Sequence, residues 1–340
     1  MMDWFIDMAK QTAGTLPSCF LPLIISFAVA AVLGPVLIPW LTKLKFGQQI
    51  LEIGPNWHKK KAGTPTMGGI MFIAGVVVAM AVRLAIRFDV TLLMMLVISC
   101  GFGLIGFIDD YVKVVKKRNL GLTAKQKFGL QAILAVIYII VLKETGNLDT
   151  HIIVPFVSKT LVLPWWLYIV FTLFVVCGTV NAVNLTDGLD GLAASITCVV
   201  ALFFGVCSVL AVNAEGLYFS MAVLGGCLAF LIFNHYPAKV FMGDTGSLFL
   251  GGCISVLAVG MKMPLILIIA GFVYLFETLS VIMQVASFKL TGKRIFKMAP
   301  IHHHFEMCGW KEKKIVAVFT LVTLILCIIG VLCVMPYFGA

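Results

Sequence analysis

Ten stretches of mostly apolar residues, each close to the thickness of a bilayer core, divide the 340-residue chain. An α-helix rises about 1.5 Å per residue, so crossing the hydrocarbon layer takes roughly 20 such residues. In lipid the backbone polar groups must be satisfied within the segment, which makes helices the form for runs of this length. The candidate spans lie at 20–41, 67–86, 90–108, 128–142, 165–183, 192–212, 217–233, 246–261, 264–288 and 315–335. Composition agrees: 61% of residues are hydrophobic, 12% are charged and mean hydropathy is +1.08, which excludes an ordinary soluble domain. The expected fold is an all-α integral membrane protein, a single polytopic domain over 1–340 built as a bundle of ten transmembrane helices. The first stretch reads as a true span, since Asp3 and Asp7 precede it and no small-residue cleavage site follows.

Basic residues orient the bundle. Loops 42–66, 109–127, 184–191, 234–245 and 287–314 hold 19 of the 25 Lys and Arg, leaving Lys10, Arg83, Arg87, Lys143, Lys159 and Lys262 on the other side. That bias follows the positive-inside rule and predicts both termini outside, with the five loops in the cytoplasm. The net charge of +10 then concentrates on the cytoplasmic face, where it suits anionic headgroups or phosphorylated substrates. Nucleic acid is not an expected partner, because no separate basic soluble domain exists. Nine of the ten cysteines lie in apolar segments and read as small hydrophobes between helices; only Cys308 is in a polar loop. No internal repeat supports an inverted-repeat transporter. Weak alternation within 147–164 predicts a short external hairpin.

Five of the fifteen acidic residues sit where apolar segments meet these loops: Asp109, Asp110, Asp187, Asp190 and Asp244. A carboxylate at a bilayer edge is costly to place and points to function. Five on one side form a site rich enough in anionic oxygen to need a cation. Asp109 and Lys113, four apart, share a helix face, and two acids at the carboxyl-terminal pole of a helix are disfavoured unless a cation meets them. Thr123 and Gln126 form a capping box for the next helix, which puts Lys125 and Lys127 at a positive pole. A bound anion would repair that mismatch at Lys125; Lys127 equally suits snorkelling towards headgroups.

Asn184-Leu-Thr-Asp-Gly-Leu-Asp-Gly contains more polar groups than capping one helix requires, and its glycines allow close backbone approach to a ligand. Asp244, in Phe241-Met-Gly-Asp-Thr-Gly-Ser, serves either as a helix cap or as a metal ligand, and the company of Asn234 and the other acidic loops favours the ligand. His302, His303 and His304 are consecutive, so on a helix they point about 100° apart and make a poor zinc site. Hard oxygen ligands beside a phosphate suit Mg²⁺ better. The imidazoles then donate hydrogen bonds to phosphate or sugar, exchange protons, or in part serve structure. Glu277, in the middle of the ninth span, either pairs with a neighbouring helix or marks a bend.

Lys61-Ala-Gly-Thr-Pro-Thr-Met-Gly-Gly, Phe107-Ile-Asp-Asp-Tyr, the Asn184 motif, Gly243-Asp-Thr-Gly-Ser and Pro300-Ile-His-His-His-Phe-Glu together resemble the polyprenyl-phosphate N-acetylhexosamine-1-phosphate transferases. Within that superfamily they are similar to the bacterial phospho-N-acetylmuramoyl-pentapeptide-transferases, or translocase I enzymes. The resemblance covers about 46–310. It implies transfer of phospho-MurNAc-pentapeptide from UDP-MurNAc-pentapeptide to undecaprenyl phosphate, giving lipid I and UMP, with Mg²⁺ as cofactor, in the bacterial inner membrane. A homodimer is compatible with this reading, and the sequence leaves the oligomeric state open. Asp244 would ligate the metal, Asp109 and Asp110 would handle the lipid phosphate and the proton, and Lys113 and Lys125 would hold phosphate charge. Lys61, Asn184, Asp187, Asp190, Asn234 and Phe241 would bind the nucleotide side. His303 would act at the chemistry, with His302 and His304 on the phosphate or sugar. Two other readings stand beside this one: transfer of GlcNAc-1-phosphate to the same lipid, and a cation transporter using the acids as its path.

Overall fold

A computed structural model describes residues 15–44, 63–115, 121–157 and 159–338. The helices are α1 (Thr15–Lys43), α2 (Gly69–Ile86), α3 (Val90–Val115), α4 (Ala124–Glu144), α5 (Trp165–Thr186), α6 (Leu192–Leu210), α7 (Ala214–Asn234), α8 (Gly243–Gly260), α9 (Phe272–Thr291), the short α10 (Ile301–Met307) and α11 (Glu312–Phe338). Ten of them, all but α10, are long and apolar enough to cross a membrane. Each expected span therefore has its helix among the described residues. The ninth differs at its start: Pro264–Ile268 forms a 3₁₀ turn and α9 begins only at Phe272. Proline fits the first turn of such a helix, where its missing N–H is not needed.

The expected hairpin is present. Strands β1 (His151–Ile153) and β2 (Thr160–Val162) pair antiparallel, with Ile152 opposite Leu161. Among the described residues the other regular elements are helices. Ile153 donates its N–H to the carbonyl of Lys262, which ties the hairpin to the turn after α8.

Helix α8 occupies the centre, with Gly251, Gly252 and Ser255 fully enclosed. Small residues let neighbouring backbones approach, and that close fit replaces the hydrophobic drive absent between helices in lipid. Helices α3 and α5 pack along α8, while α1 and α6 pack along α7. Helix α1 instead presents Ile24, Val32 and Val36 outward, each more than half exposed, as a lipid-facing surface does.

An even number of spans returns the end of α11 to the side where α1 begins. The carboxyl ends of α3, α5 and α7 and the amino ends of α4, α8 and α11 then share the opposite side. Every acidic loop singled out above opens there.

Candidate active site

At that end, carboxylate oxygens of Asp109, Asp110 and Asp244 lie within 4.8 Å of one another. Asp244 stands between cations. Its Oδ2 accepts from Lys113 Nζ at 2.7 Å and from Lys127 Nζ at 3.1 Å, and its Oδ1 accepts from the Asn184 amide at 2.7 Å. The same amide nitrogen donates to Ser247 Oγ at 2.8 Å. Lys113 also meets Asp109 Oδ2 at 2.6 Å, the pair expected from their four-residue spacing. Three carboxylates against two lysines leave anionic excess, and hard oxygen donors gathered this closely suit a Mg²⁺ ion. Asp244, expected as the ligand, would offer oxygens for it together with Asp109.

Helix polarity led elsewhere than the structure. Helix α3 continues to Val115, so Asp109 and Asp110 are not in its last turn. Asp110 is a cap after all, but for a different helix. Its Oδ2 accepts from the Thr245 N–H at 2.8 Å and the Thr245 hydroxyl at 2.7 Å, and its Oδ1 accepts from the Asp244 N–H at 3.2 Å. These are donors of the first turn of α8, which has no partner within its own helix. Asp244 in turn does not cap α8, whose N-cap is Met242, and so its carboxylate stays available. Gly106 makes the contact possible: a Cβ there would run into the Asp244 carbonyl. Asp109 holds the next loop by accepting the Leu122 N–H on Oδ1 at 2.6 Å.

Of the two lysines in the first turn of α4, the structure brings in Lys127. The capping box of Thr123 and Gln126 forms as expected, and it sets the helix so that Lys127 turns inward while Lys125 is exposed. Lys125 has no ion pair among the described residues. Snorkelling was the competing account of Lys127; the ion pair with Asp244 replaces it. Lys61 lies outside the described residues.

The 184–191 loop is held by backbone contacts. Asn234 accepts from the Gly191 N–H at 3.0 Å and donates to the Val240 carbonyl at 2.8 Å. Asp190 Oδ2 accepts from the Ala238 N–H, and the Asp190 N–H donates to Glu312 at 2.6 Å. Both side chains are buried. They shape the loop rather than face a ligand, because buried polar groups take the partners nearest to hand. Among the described residues, Asp187 is the acid of this loop whose carboxylate takes no hydrogen bond or ion pair. Burial, then the neighbouring charges of Asp244, Asp110 and Asp190, push its carboxyl up to about 8. Phe241, in the third motif, is half-buried; its N–H donates to the Pro65 carbonyl and its carbonyl accepts from the Gly68 N–H.

The three histidines ride on α10, and the rings of His302 and His303 lie against each other, 4.1 Å between centroids, while His304 turns towards Phe296. Nδ1 of His302 lies 3.0 Å from Glu277 Oε2, both side chains fully enclosed. Its Nε2 faces Gly188, where any Cβ would collide with the ring. His303 pairs with Glu306 at 2.6 Å. His304 accepts the Lys297 N–H on Nδ1 at 3.1 Å and packs edge-on against Phe296. His302 is buried, and His303 and His304 are both half-buried.

Sequence reasoning weighed Lys127 against snorkelling without assigning it to the site, and passed over Thr245, Ser247 and the support that Glu277 gives His302. The capping box carried a signal for Lys127, since it fixes the helical phase. Its mid-span position marked Glu277, but nothing local marked its partner, which lies 25 residues away.

Comparison with known proteins agrees with the geometry. A family described as glycosyl transferase family 4 matches residues 92–262, and phospho-N-acetylmuramoyl-pentapeptide-transferase signature 1 matches 61–73. A phospho-N-acetylmuramoyl-pentapeptide-transferase of Acetivibrio thermocellus is 54% identical over 311 residues, 90% of this chain and 92% of that protein. Relatives with the same name from Shouchella clausii and Clostridium perfringens (strain 13 / Type A) are 51% and 49% identical, each over 314 residues. These alignments cover 91% and 92% of this chain, and 95% and 98% of the two relatives. A chain this similar over nine-tenths of its length, with the acidic cluster assembled, belongs to the phospho-N-acetylmuramoyl-pentapeptide-transferase family.

Proposed function

We propose that the chain transfers phospho-MurNAc-pentapeptide from UDP-MurNAc-pentapeptide to undecaprenyl phosphate, giving lipid I and UMP. The observation that carries this reading is Asp244, held by Lys113, Lys127 and Asn184 among further carboxylates at the end of a membrane bundle. Both substrates are anionic phosphates, and phosphoryl transfer is catalysed mainly by positioning and charge neutralisation. A site at the bilayer edge lets the polyprenyl tail stay in lipid while its phosphate reaches the lysines.

A lipid phosphate oxygen attacks the phosphorus that carries the sugar, and the bond from that phosphorus to the UMP oxygen breaks. UMP leaves with the electron pair. Lys113 and Lys127, now paired with carboxylates, hold the negative charge of the phosphates, and Asp109 accepts a proton where the lipid phosphate arrives protonated. Asp244 and Asp109 would hold a Mg²⁺ ion, which would supply Lewis-acid neutralisation of the diphosphate charge. The alternative is a covalent aspartyl intermediate on Asp244 or Asp109. Direct attack is supported by the hydrogen bonds these carboxylates already make, which leave neither oriented as a lone nucleophile.

The positive-inside bias supports placing this end of the bundle in the cytoplasm of a bacterium and both chain ends outside its inner membrane. The decisive assay combines radiolabelled UDP-MurNAc-pentapeptide and undecaprenyl phosphate, with and without Mg²⁺. Labelled lipid should form only with the metal and be lost in Asp244→Asn. Turnover of UDP-GlcNAc instead would favour the sister reaction, and UMP release without lipid would sink direct attack.

A further inference from the structure

A second charged site lies at the other end of the bundle. Helix α2 starts beside the acidic cluster, where the Gly69 N–H meets the Met242 carbonyl, and its 18 residues carry it roughly 27 Å away. There a cavity of about 430 Å³ opens between α1, α2 and the start of α7. Arg83 and Arg87 line it, one turn apart. Ser18 and Tyr218 line one side, and the remaining wall is apolar, with Leu21 and Ile25 on α1 and Val82 and Ile86 on α2.

Arg83 does not simply reach for solvent. Its guanidinium lies over the Tyr218 ring, 4.4 Å from the centroid, and the Tyr218 hydroxyl is fixed at 2.8 Å from Ser18. That leaves the guanidinium held within the cavity wall with its edge N–H groups unspent on stacking. Neither arginine has a carboxylate partner among the described residues. The nearest acid in sequence, Asp89, is spent on capping α3 through the Leu92 N–H at 2.9 Å. Two unpaired guanidinium groups above an apolar floor, at a bilayer boundary, match one chemistry: a phosphodiester headgroup with acyl chains below it.

We propose that this cavity binds an anionic diacyl phospholipid, with Arg83 and Arg87 on its phosphate and an acyl chain along Leu21, Ile25 and Ile86. The lipid would clamp α1 and α2 to α7 at the end remote from the chemistry. On the orientation given above, it belongs to the outer leaflet.

Native mass spectrometry of the full-length, delipidated protein in detergent tests this with dioleoyl-phosphatidylglycerol against dioleoyl-phosphatidylcholine. Wild type should retain the anionic lipid preferentially. In Arg83→Gln/Arg87→Gln that retention should weaken roughly thirtyfold, and in Arg87→Gln alone about fivefold, while transferase activity in detergent is unchanged. Arg83→Lys/Arg87→Lys should keep part of the preference. Equal retention of both lipids by wild type, or unchanged phosphatidylglycerol retention in Arg83→Gln/Arg87→Gln, overturns the proposal. Should the double variant fail to fold, the exposed Arg87→Gln decides by the same measure. Displacement of the bound lipid by inorganic phosphate alone would also overturn it, since the apolar floor would then contribute nothing.

Discussion

Two lysines two residues apart show how finely a helix sorts side chains. Positions 125 and 127 differ by about 200° around α4, so one faces Asp244 and the other faces out. Lys127→Ala should therefore lower kcat/KM by about a hundredfold or more, as loss of a charge that meets the transferred phosphate does. Lys125→Ala should stay within about twofold; a large loss there would contradict the geometry. Both are read from initial rates at saturating and limiting donor. Glu277 acts a step further back. It fixes the His302 ring against Gly188, so Glu277→Ala leaves a buried N–H without its acceptor and should cost about 1–3 kcal/mol. Thermal unfolding in detergent should show that loss together with reduced activity, and Glu277→Gln, which keeps an acceptor oxygen, should recover most of both.

Between elements, the decisive contact is α3 against the first turn of α8. Asp110 reaches across to satisfy N–H groups of that turn, and its negative charge sits at the positive pole of α8. Gly106 sets the separation. Gly106→Ala must push α3 away from the Asp244 carbonyl, which lengthens the Asp110 bonds and shifts Asp244 from its lysines. The expected outcome is a lower unfolding temperature and activity reduced by at least about tenfold, because small misplacement at a reacting centre is costly. A variant with normal activity would show that the approach of the two helices does not set the site. The acids were visible in the sequence as misplaced charge. Their division of labour was not, because capping by a residue 134 positions away leaves no local pattern.

Across the whole molecule, the two ends do different work. At the end remote from the chemistry, Asp149 joins the hairpin to the turn after α8 through Lys262 and His151. Burial alone would raise its carboxyl, but the hydrogen bonds from Lys262 and His151 outweigh it and hold it at about 2. A depressed carboxyl stabilises the fold above its unfolded value of 3.8 and loses that contribution as pH falls towards 2. The pair is over a third exposed on the lysine side, so screening keeps it under about 1 kcal/mol. Asp149→Asn should lower the unfolding temperature slightly at neutral pH, with the gap closing in acid and activity untouched. A pH-independent gap would assign the loss to something other than charge. By itself the sequence determined ten helices, their alternation, the hairpin and the residue types of an acidic phosphate site, because bilayer thickness and helical period act on neighbours along the chain. Only the tertiary structure decided that Lys127 and not Lys125 meets Asp244, that Asp110 caps a distant helix, and that Asn234 and Asp190 serve the loop. Those assignments depend on which faces meet when helices far apart in sequence pack together.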